Sequence, residues 1–176
     1  MTTLVVGGAA SGKSAYVEQL IARLPREMKR VYIATMQPYG AEAEERIEKH
    51  RRQRAGRGFE TMECYVNLFA LDVPCGCAAL LEDIGNLCAN ELYAPEGAGD
   101  DAAEEIIRGV THLRERCGEL VIVSNEVGSG GTRYQGDTLR YLQTIGYVNQ
   151  RLAALADNVC EVVCGIPMYY KGKEPV

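Results

Sequence analysis

The sequence has 176 residues, of which 47% are hydrophobic and 24% are charged, ordinary values for one globular domain. Its net charge of −5 argues against the broad basic surface of a nucleic-acid-binding protein, so we expect no nucleic-acid partner. The seven cysteines include no Cys-x-x-Cys pair, and we find neither a signal peptide nor an apolar stretch long enough to span a membrane. We therefore expect a cytoplasmic protein whose cysteines are reduced and buried.

Short apolar runs and amphipathic patterns alternate along the whole chain. The predicted strands are 4–6, 30–35, 59–63, 77–81, 120–124 and 159–164, and the predicted helices are 13–24, 41–54, 84–92, 101–116 and 139–156. The tail after Gly165 is expected to add an edge strand. A strand, a glycine loop, a helix and a second strand open the chain, an order typical of a βαβ unit with parallel strands. We predict a single α/β domain over residues 1–176, with a mostly parallel central sheet flanked by helices.

Residues 7–14 carry the strongest motif, Gly-Gly-Ala-Ala-Ser-Gly-Lys-Ser, which matches G-x-x-x-x-G-K-[ST]. In such a P-loop the backbone N–H groups form a nest for phosphate oxygens, and the following helix adds its positive end. Lys13 is expected to act as a catalytic residue on the β- and γ-phosphates, and the Ser14 hydroxyl to ligate Mg²⁺. The alternative, a turn that binds nothing, leaves a lysine in a first helical turn without a stabilising anion. The predicted nucleotide-binding residues of this loop are Gly7, Gly8, Ala9, Ala10, Ser11, Gly12, Lys13 and Ser14.

A second candidate lies on the predicted helix 41–54, where Arg46, His50 and Arg54 are spaced four apart and share one face. Flanking guanidiniums favour a neutral imidazole, whose lone pair makes His50 a candidate nucleophile toward phosphorus. The plainer interpretation is a solvated helix with salt bridges, since Glu42 stands at the favourable spacing from Arg46. The residues alone favour this plainer interpretation.

Three carboxylates follow predicted strands: Glu82 and Asp83 come after 77–81, and Glu126 comes after 120–124. Ligands of open α/β sheets bind beyond the carboxyl ends of the strands, where an acidic side chain can hold a ribose, a base edge or Mg²⁺-bound water. For Glu82 and Glu126 a ligand-binding role and a helix-cap or loop role are equally supported. Asp83 is interpreted as a cap or loop residue. No Asp ends a strand in the arrangement expected of a second Mg²⁺ ligand, so that contact is left unassigned.

Several segments occur together and in order: the P-loop (7–14), Tyr-Ile-Ala-Thr (32–35), Arg-Ile-Glu-Lys-His-Arg (46–51), Thr-Met-Glu (61–63), Leu-Leu-Glu (80–82), Asn-Glu-Val-Gly (125–128), Val-Asn-Gln (148–150) and Gly-Ile-Pro (165–167). With this combination the chain resembles, nearly end to end, the bifunctional adenosylcobinamide kinase/adenosylcobinamide-phosphate guanylyltransferase family of cobalamin biosynthesis. The resemblance implies a RecA-like P-loop fold and a homotrimer. It implies Mg²⁺ as cofactor, ATP and GTP as substrates, and a corrinoid partner, cobinamide. The implied reactions are phosphorylation of adenosylcobinamide and transfer of GMP, through a histidine, to its phosphate.

The resemblance assigns the histidine that carries GMP to His50, which makes a nucleophile the favoured interpretation at that position. The helix 41–54 must then fold over the mouth of the P-loop, as a lid. Two alternatives stay open: a P-loop small-molecule kinase without a histidine adduct, and a non-catalytic nucleotide-binding regulator. Outside the loop, the resemblance implies nucleotide contacts from Ala34, Thr35, Met36, Arg51, Arg52, Gln53, Arg54, Glu63 and Glu82.

Overall fold

The computed structural model describes residues 1–54, 56–128, 131 and 133–175; the side chains of Glu42, Arg46, Lys49, His50, Gln53 and Arg54 are outside the described part. The strands are β1 (Thr2–Val6), β2 (Arg30–Ala34), β3 (Phe59–Glu63), β4 (Ala78–Glu82), β5 (Glu119–Val123), β6 (Asn158–Val163) and β7 (Ile166–Lys171). The helices are α1 (Lys13–Ala22), α2 (Gly40–Arg54), α3 (Ile84–Tyr93), α4 (Ala102–Arg116) and α5 (Gly136–Leu155), with short 3₁₀ helices at Leu68–Ala70 and Gly99–Asp101.

The strands form one seven-stranded sheet in the order β3-β2-β4-β5-β1-β6-β7. Strands β1 to β6 run parallel, and β7 pairs antiparallel with β6 at the edge. This arrangement confirms the mostly parallel α/β sheet and the edge strand that the sequence predicts after Gly165. It also places the carboxyl ends of β1, β5, β4 and β2 side by side, where ligands of such sheets bind.

Helices cover both faces of the sheet, which explains the continuous apolar runs of its central strands. On one face, Val17 of α1 shares a core cluster with Leu80 of β4. On the other face, Ile106 of α4 and Val148 of α5 share a second cluster with Leu81. Each buried large aliphatic side chain contributes roughly 1.5–3 kcal/mol to the stability of the fold. Because Leu80 and Leu81 point to opposite faces of β4, this strand anchors the helices of both layers.

Two helix boundaries differ from the sequence prediction by more than one residue. Helix α5 begins at Gly136 rather than at position 139, with Asp137 in its first turn, where the helix dipole favours an acid. The hydroxyl of Tyr93 donates a 2.6 Å hydrogen bond to the Asp137 carbonyl. The residues 136–138 are polar or small and carry no apolar periodicity, so the pattern missed this turn. Helix α1 ends at Ala22 rather than at position 24.

The cysteines are all free thiols, as expected, but they are not all buried. Cys75 and Cys164 are exposed, because each lies in a turn and not on the inner face of a strand or helix. None of the described helices is long and apolar enough to cross a membrane.

Candidate functional site

The P-loop is the turn between β1 and α1, and the β6–β7 turn packs behind it. Gly12 has φ +98°, and a Cβ there would lie 2.9 Å from Cα of Gly165. A Cβ on Gly7 would lie 2.6 Å from the Val162 carbonyl oxygen. The Gly165 N–H donates a 2.8 Å hydrogen bond to the Ser11 carbonyl. The glycines are therefore required by close backbone packing, and β6–β7 fixes the shape of the loop.

Lys13 lies at the start of α1 with its ammonium turned onto the loop. Its Nζ donates hydrogen bonds of 2.7 Å to the carbonyls of both Gly7 and Gly8. Burial lowers the pKa of Lys13, an effect that the negative charges of Asp83 and Glu82 oppose. A desolvated ammonium between backbone carbonyls and two carboxylates is a strong partner for phosphate oxygens.

The Ser11 hydroxyl supplies independent evidence that the loop suits an anion. Among the described residues, its oxygen is buried and has no hydrogen-bond partner. Buried polar atoms are normally paired, and orphans call for an explanation. A phosphate oxygen cradled by the loop would satisfy this hydroxyl.

Ser14 and Glu82 join the P-loop to the end of β4. The Ser14 hydroxyl donates a 2.8 Å hydrogen bond to Oε1 of Glu82. Mg²⁺ takes oxygen ligands and is usually held by one or two protein groups together with phosphates and waters. A hydroxyl and a carboxylate at this separation fit that ion, which makes Glu82 a candidate for the second contact that the sequence analysis left unassigned.

Asp83 is the N-cap of α3, in agreement with the cap that the sequence suggests. Its Oδ1 accepts a 2.6 Å hydrogen bond from the Asn86 N–H, and the Asn125 side chain also hydrogen-bonds this carboxyl. Burial raises the pKa of Asp83, and the nearby charge of Glu82 raises it further, while the Asn86 N–H, Asn125 and Lys13 lower it. Asp83 is thus more than a solvated cap, because its carboxyl is desolvated beside the P-loop.

These groups lie along a cleft of about 900 Å³ at the carboxyl ends of the strands. Helix α2 forms one wall through Glu44, Ile47, Glu48 and Arg51, positions that share one helical face. None of the described side chains of α2 is fully buried. The remaining lining residues are Ala9, Ala10, Lys13, Ser14, Tyr32, Ala34, Met36, Pro38, Thr61, Glu63, Tyr65, Glu82, Asp83, Asn86, Val123, Asn125, Glu126 and Val127.

The structure brings many of the predicted site residues to this cleft. Those that line it are Ala9, Ala10, Lys13, Ser14, Ala34, Met36, Arg51, Glu63 and Glu82. Glu126, left open between ligand and loop roles, lines it as well. Gly7, Gly8, Ser11 and Gly12 form the body of the loop without lining the cleft. The side chains of His50, Gln53 and Arg54 are outside the described part, so their predicted roles stay predictions.

Thr35 and Arg52 are not among the lining residues. Thr35 is fully buried: its hydroxyl donates to the Asp83 carbonyl and accepts from the Asp83 N–H, both at 2.8 Å. It therefore ties the end of β2 to the end of β4. Arg52 is exposed and pairs with Glu48 at 3.0 Å. For both residues, a direct contact with the nucleotide remains a prediction.

The sequence analysis did not single out three polar cleft residues: Tyr65, Asn86 and Asn125. The Tyr65 hydroxyl donates a 2.8 Å hydrogen bond to Oε2 of Glu63, beyond the end of β3. Burial and this carboxylate raise the pKa of Tyr65 to about 12. Asn125 directly follows the predicted strand 120–124, so the strand-end rule applied to Glu82 and Glu126 extends to it.

The chain is similar to known proteins over nearly its whole length. It is 36% identical over 185 residues to the bifunctional adenosylcobalamin biosynthesis protein CobU of Salmonella typhimurium, covering 97% of this chain and 100% of that protein. It is 34% identical to CobU of Escherichia coli, with the same coverage. It is 31% identical to the bifunctional adenosylcobalamin biosynthesis protein CobP of Pseudomonas aeruginosa, covering 98% of this chain and 99% of that protein.

Solved structures confirm the predicted RecA-like P-loop fold. The flagellar accessory protein FlaH of Methanocaldococcus jannaschii has a TM-score of 0.50 at 12% identity, covering 98% of this chain and 78% of that one. The ATPase domain of G40P also has a TM-score of 0.50, at 11% identity, covering 91% of this chain and 68% of that one. The CobU family model, described as cobinamide kinase / cobinamide phosphate guanyltransferase, matches residues 3–170. The chain therefore belongs to the cobinamide kinase / cobinamide phosphate guanyltransferase family.

Proposed function

We propose that this protein phosphorylates the aminopropanol hydroxyl of adenosylcobinamide with ATP or GTP and then transfers GMP from GTP to the adenosylcobinamide phosphate. One observation carries the proposal. A complete P-loop, braced from behind, opens on a cleft of about 900 Å³ in a chain whose full-length relatives are bifunctional adenosylcobalamin biosynthesis proteins. The volume lies within the range of small-molecule and cofactor sites.

In the kinase reaction, the P-loop residues bind and orient the triphosphate. Lys13 leaves its loop carbonyls to hold the β- and γ-phosphates, and Ser14 and Glu82 would hold Mg²⁺. When bound there, Mg²⁺ would supply positive charge to the transferred group and the leaving diphosphate. The substrate hydroxyl oxygen forms a bond to the γ-phosphorus as the bond to the β-phosphate oxygen breaks, the nucleoside diphosphate leaves, and the hydroxyl proton is released to solvent.

In the guanylyl transfer, we propose that His50 is the nucleophile. Its nitrogen bonds the α-phosphorus of GTP while pyrophosphate leaves into the P-loop, near Lys13. An oxygen of the cobinamide phosphate then bonds the same phosphorus, and the N–P bond breaks. The support is the family resemblance together with the place of α2, which walls the cleft through Arg51, the residue next to position 50.

The proposed lid role of α2 has support in its packing. Because none of its described side chains is fully buried, little apolar surface holds the helix against the sheet. Segments with few buried contacts open at low free-energy cost. Movement of α2 would carry His50 toward the α-phosphate after the nucleotide has bound.

We propose that Glu63 recognises the guanine base. Guanine presents N1–H and an exocyclic amine as neighbouring donors, whereas adenine lacks the N1–H donor, and a carboxylate can accept from both guanine groups. Glu63 lines the cleft, and Tyr65 donates to one of its oxygens, which fixes the orientation of the carboxylate. The other proposed nucleotide contacts are Ala34, Thr35, Met36, Arg51, Gln53 and Arg54. Arg52 is proposed as an outer contact that contributes little, because it does not line the cleft.

Three further properties are proposals. A single nucleotide-binding domain over residues 1–176 and a cytoplasmic location rest on the sequence pattern, and a homotrimer rests on the family resemblance. Size-exclusion chromatography with light scattering checks the trimer. A molar mass of one or two chains at micromolar concentration would reject it.

The function is tested by incubating the protein with GTP labelled at the α-phosphate and Mg²⁺, and by assaying added cobinamide for phosphorylation. Acid-labile label on the denatured protein, together with phosphorylated cobinamide, supports the bifunctional enzyme. Phosphorylation without protein label supports the kinase alternative. Tight nucleotide binding with neither reaction supports the regulator and rejects the proposal.

A further inference from the structure

Three polar side chains converge over Gly85 in the first turn of α3. At Gly85, an added Cβ would lie 2.9 Å from Asn125 Nδ2, 3.1 Å from the Tyr141 hydroxyl and 3.2 Å from Asp83 Oδ1. A side chain at this position would push at least one of these groups out of place. The glycine is therefore what allows these three groups to approach one another.

The backbone at Asn125 is held by helix α5. Ser124 is fully buried, and its hydroxyl donates a 2.6 Å hydrogen bond to Oδ1 of Asn149. The Asn149 amide lies 3.5 Å from the Asn125 carbonyl. Tyr141 donates a 3.3 Å hydrogen bond to the Gly85 carbonyl. Helix α5 thus supports the cluster, so its geometry is fixed before a ligand arrives.

Helix capping alone does not explain a charged side chain at position 83, because a buried charge lowers the stability of the fold. Ser, Thr and Asn cap helices about as well as Asp does, without a charge. Asp83 instead places a partly buried carboxyl next to the carboxylate of Glu82 at the cleft. An arrangement that opposes stability in a cleft indicates a functional residue.

The position of Asp83 indicates the chemistry of its partner. Asp83, Asn86 and Asn125 line the cleft beside Lys13, where the γ-phosphate would bind. A carboxylate repels phosphate oxygens and accepts hydrogen bonds, so its partner must be a donor. The donor required next to a γ-phosphate during phosphoryl transfer is the hydroxyl that receives the phosphoryl group.

We propose that Asp83 binds the acceptor alcohol of the kinase reaction, accepting a hydrogen bond from its hydroxyl and aiming the hydroxyl oxygen at the γ-phosphorus. Asn125 and Gly85 are positioning residues, which hold the Asp83 carboxylate and leave space for it. The claim concerns binding and orientation of the alcohol, and it rests on the proposed kinase function. Correct placement of a reacting group is worth about 100-fold in rate for a displacement of 1 Å.

The test uses Asp83→Ser, which retains a good helix cap but removes the carboxylate, and Gly85→Ala, which crowds the cluster. Steady-state phosphorylation of cobinamide is measured with varied cobinamide and with varied nucleotide. For both variants we expect kcat/KM for cobinamide to fall roughly 10–100-fold. The Kd for nucleotide and the yield of GMP-labelled protein should stay within about twofold, because the P-loop and α2 are untouched.

Gly146→Ala is the matched control, since Gly146 lies in α5 and an added Cβ there meets nothing within 4 Å. It should retain wild-type kinetics. The melting temperature of each variant shows whether it is folded. An active wild-type enzyme with an unchanged kcat/KM for cobinamide in Asp83→Ser overturns this inference alone. A wild-type protein that binds nucleotide but phosphorylates no cobinamide overturns the proposed function, and this inference with it.

Discussion

The hydroxyl of Ser14 donates a 2.8 Å hydrogen bond to Oε1 of Glu82, two residues that are 68 positions apart in the sequence. The contact joins the first turn of α1 to the end of β4, although β5 lies between β4 and β1 in the sheet. Neither residue alone indicates a metal site, but the pair offers two oxygens that fit the proposed Mg²⁺ ion.

Glu82→Gln should lower kcat for both proposed reactions by roughly 10²–10³-fold, the usual cost of removing one electrostatic group from a transition state. The amide has nearly the same shape but lacks the charge that Mg²⁺ requires. Titration of activity with Mg²⁺ is the measurement, and the variant should need a higher concentration. Glu60→Gln, at an exposed site on β3, is the control. An unchanged Mg²⁺ dependence in Glu82→Gln would reject the metal assignment.

Lys13→Ala should abolish both phosphorylation of cobinamide and labelling by GTP, because both reactions place the same phosphates in the P-loop. Its fold should persist, since removal of a desolvated ammonium leaves only two loop carbonyls to be rehydrated. Activity assays and circular dichroism on the same preparation check this. Full turnover in a folded Lys13→Ala protein would show that the P-loop assignment is wrong.

Gly12→Ala should destabilise the protein by roughly 1–3 kcal/mol, because a side chain there is strained at φ +98° and meets Gly165 at 2.9 Å. For a domain of this size each kcal/mol lowers the melting temperature by about 2–4 °C. Thermal unfolding followed by circular dichroism is the measurement. Gly146→Ala serves again as the control. A Gly12→Ala protein as stable as the wild type would mean that β6–β7 does not brace the loop.

Arg51 and Arg52 form a matched pair for testing the α2 wall. Both make surface ion pairs with Glu48, at 3.8 and 3.0 Å, and only Arg51 lines the cleft. Arg51→Ala should weaken GTP binding about tenfold, as expected for loss of one charge-assisted phosphate contact, whereas Arg52→Ala should change it less than about twofold. Isothermal titration with GTP compares them. Equal losses of GTP affinity in the two variants would contradict the proposed position of the nucleotide beside Arg51.

Much of the fold follows from the sequence, because its signals are local. The P-loop motif between an apolar run and an amphipathic helix fixes the first βαβ unit, and alternating strands and helices fix the parallel sheet. Sheet order is not local, which is why the approach of Glu82 to Ser14 could not be read from strand ends alone. The first turn of α5, at Gly136, was missed although it is local, because its residues are polar or small and carry no periodic apolar signal.

The site residues also divide into those with a local sequence signal and those whose contacts depend on the fold. Residues with a fixed spacing, such as Lys13 and Ser14, were predicted from the motif alone. Asp83, interpreted as a cap or loop residue, is a cap. Its carboxyl also hydrogen-bonds the Asn125 side chain, which lies beyond the end of β5, and no single segment of the sequence reveals that contact. Thr35, expected to contact the nucleotide, is instead buried and hydrogen-bonded to the Asp83 carbonyl, a contact between two strand ends that the sequence does not reveal.

The most direct test of the account is to locate the nucleotide on the protein. Wild-type protein and His50→Ala are incubated with GTP and Mg²⁺, and peptides are sequenced by mass spectrometry under alkaline conditions that preserve phosphoramidates. We predict one GMP on the peptide that contains His50. This adduct should be absent from His50→Ala and from Lys13→Ala. A GMP adduct at another residue would contradict the account. So would the absence of any adduct in a protein that still converts added adenosylcobinamide phosphate and GTP to adenosylcobinamide-GDP.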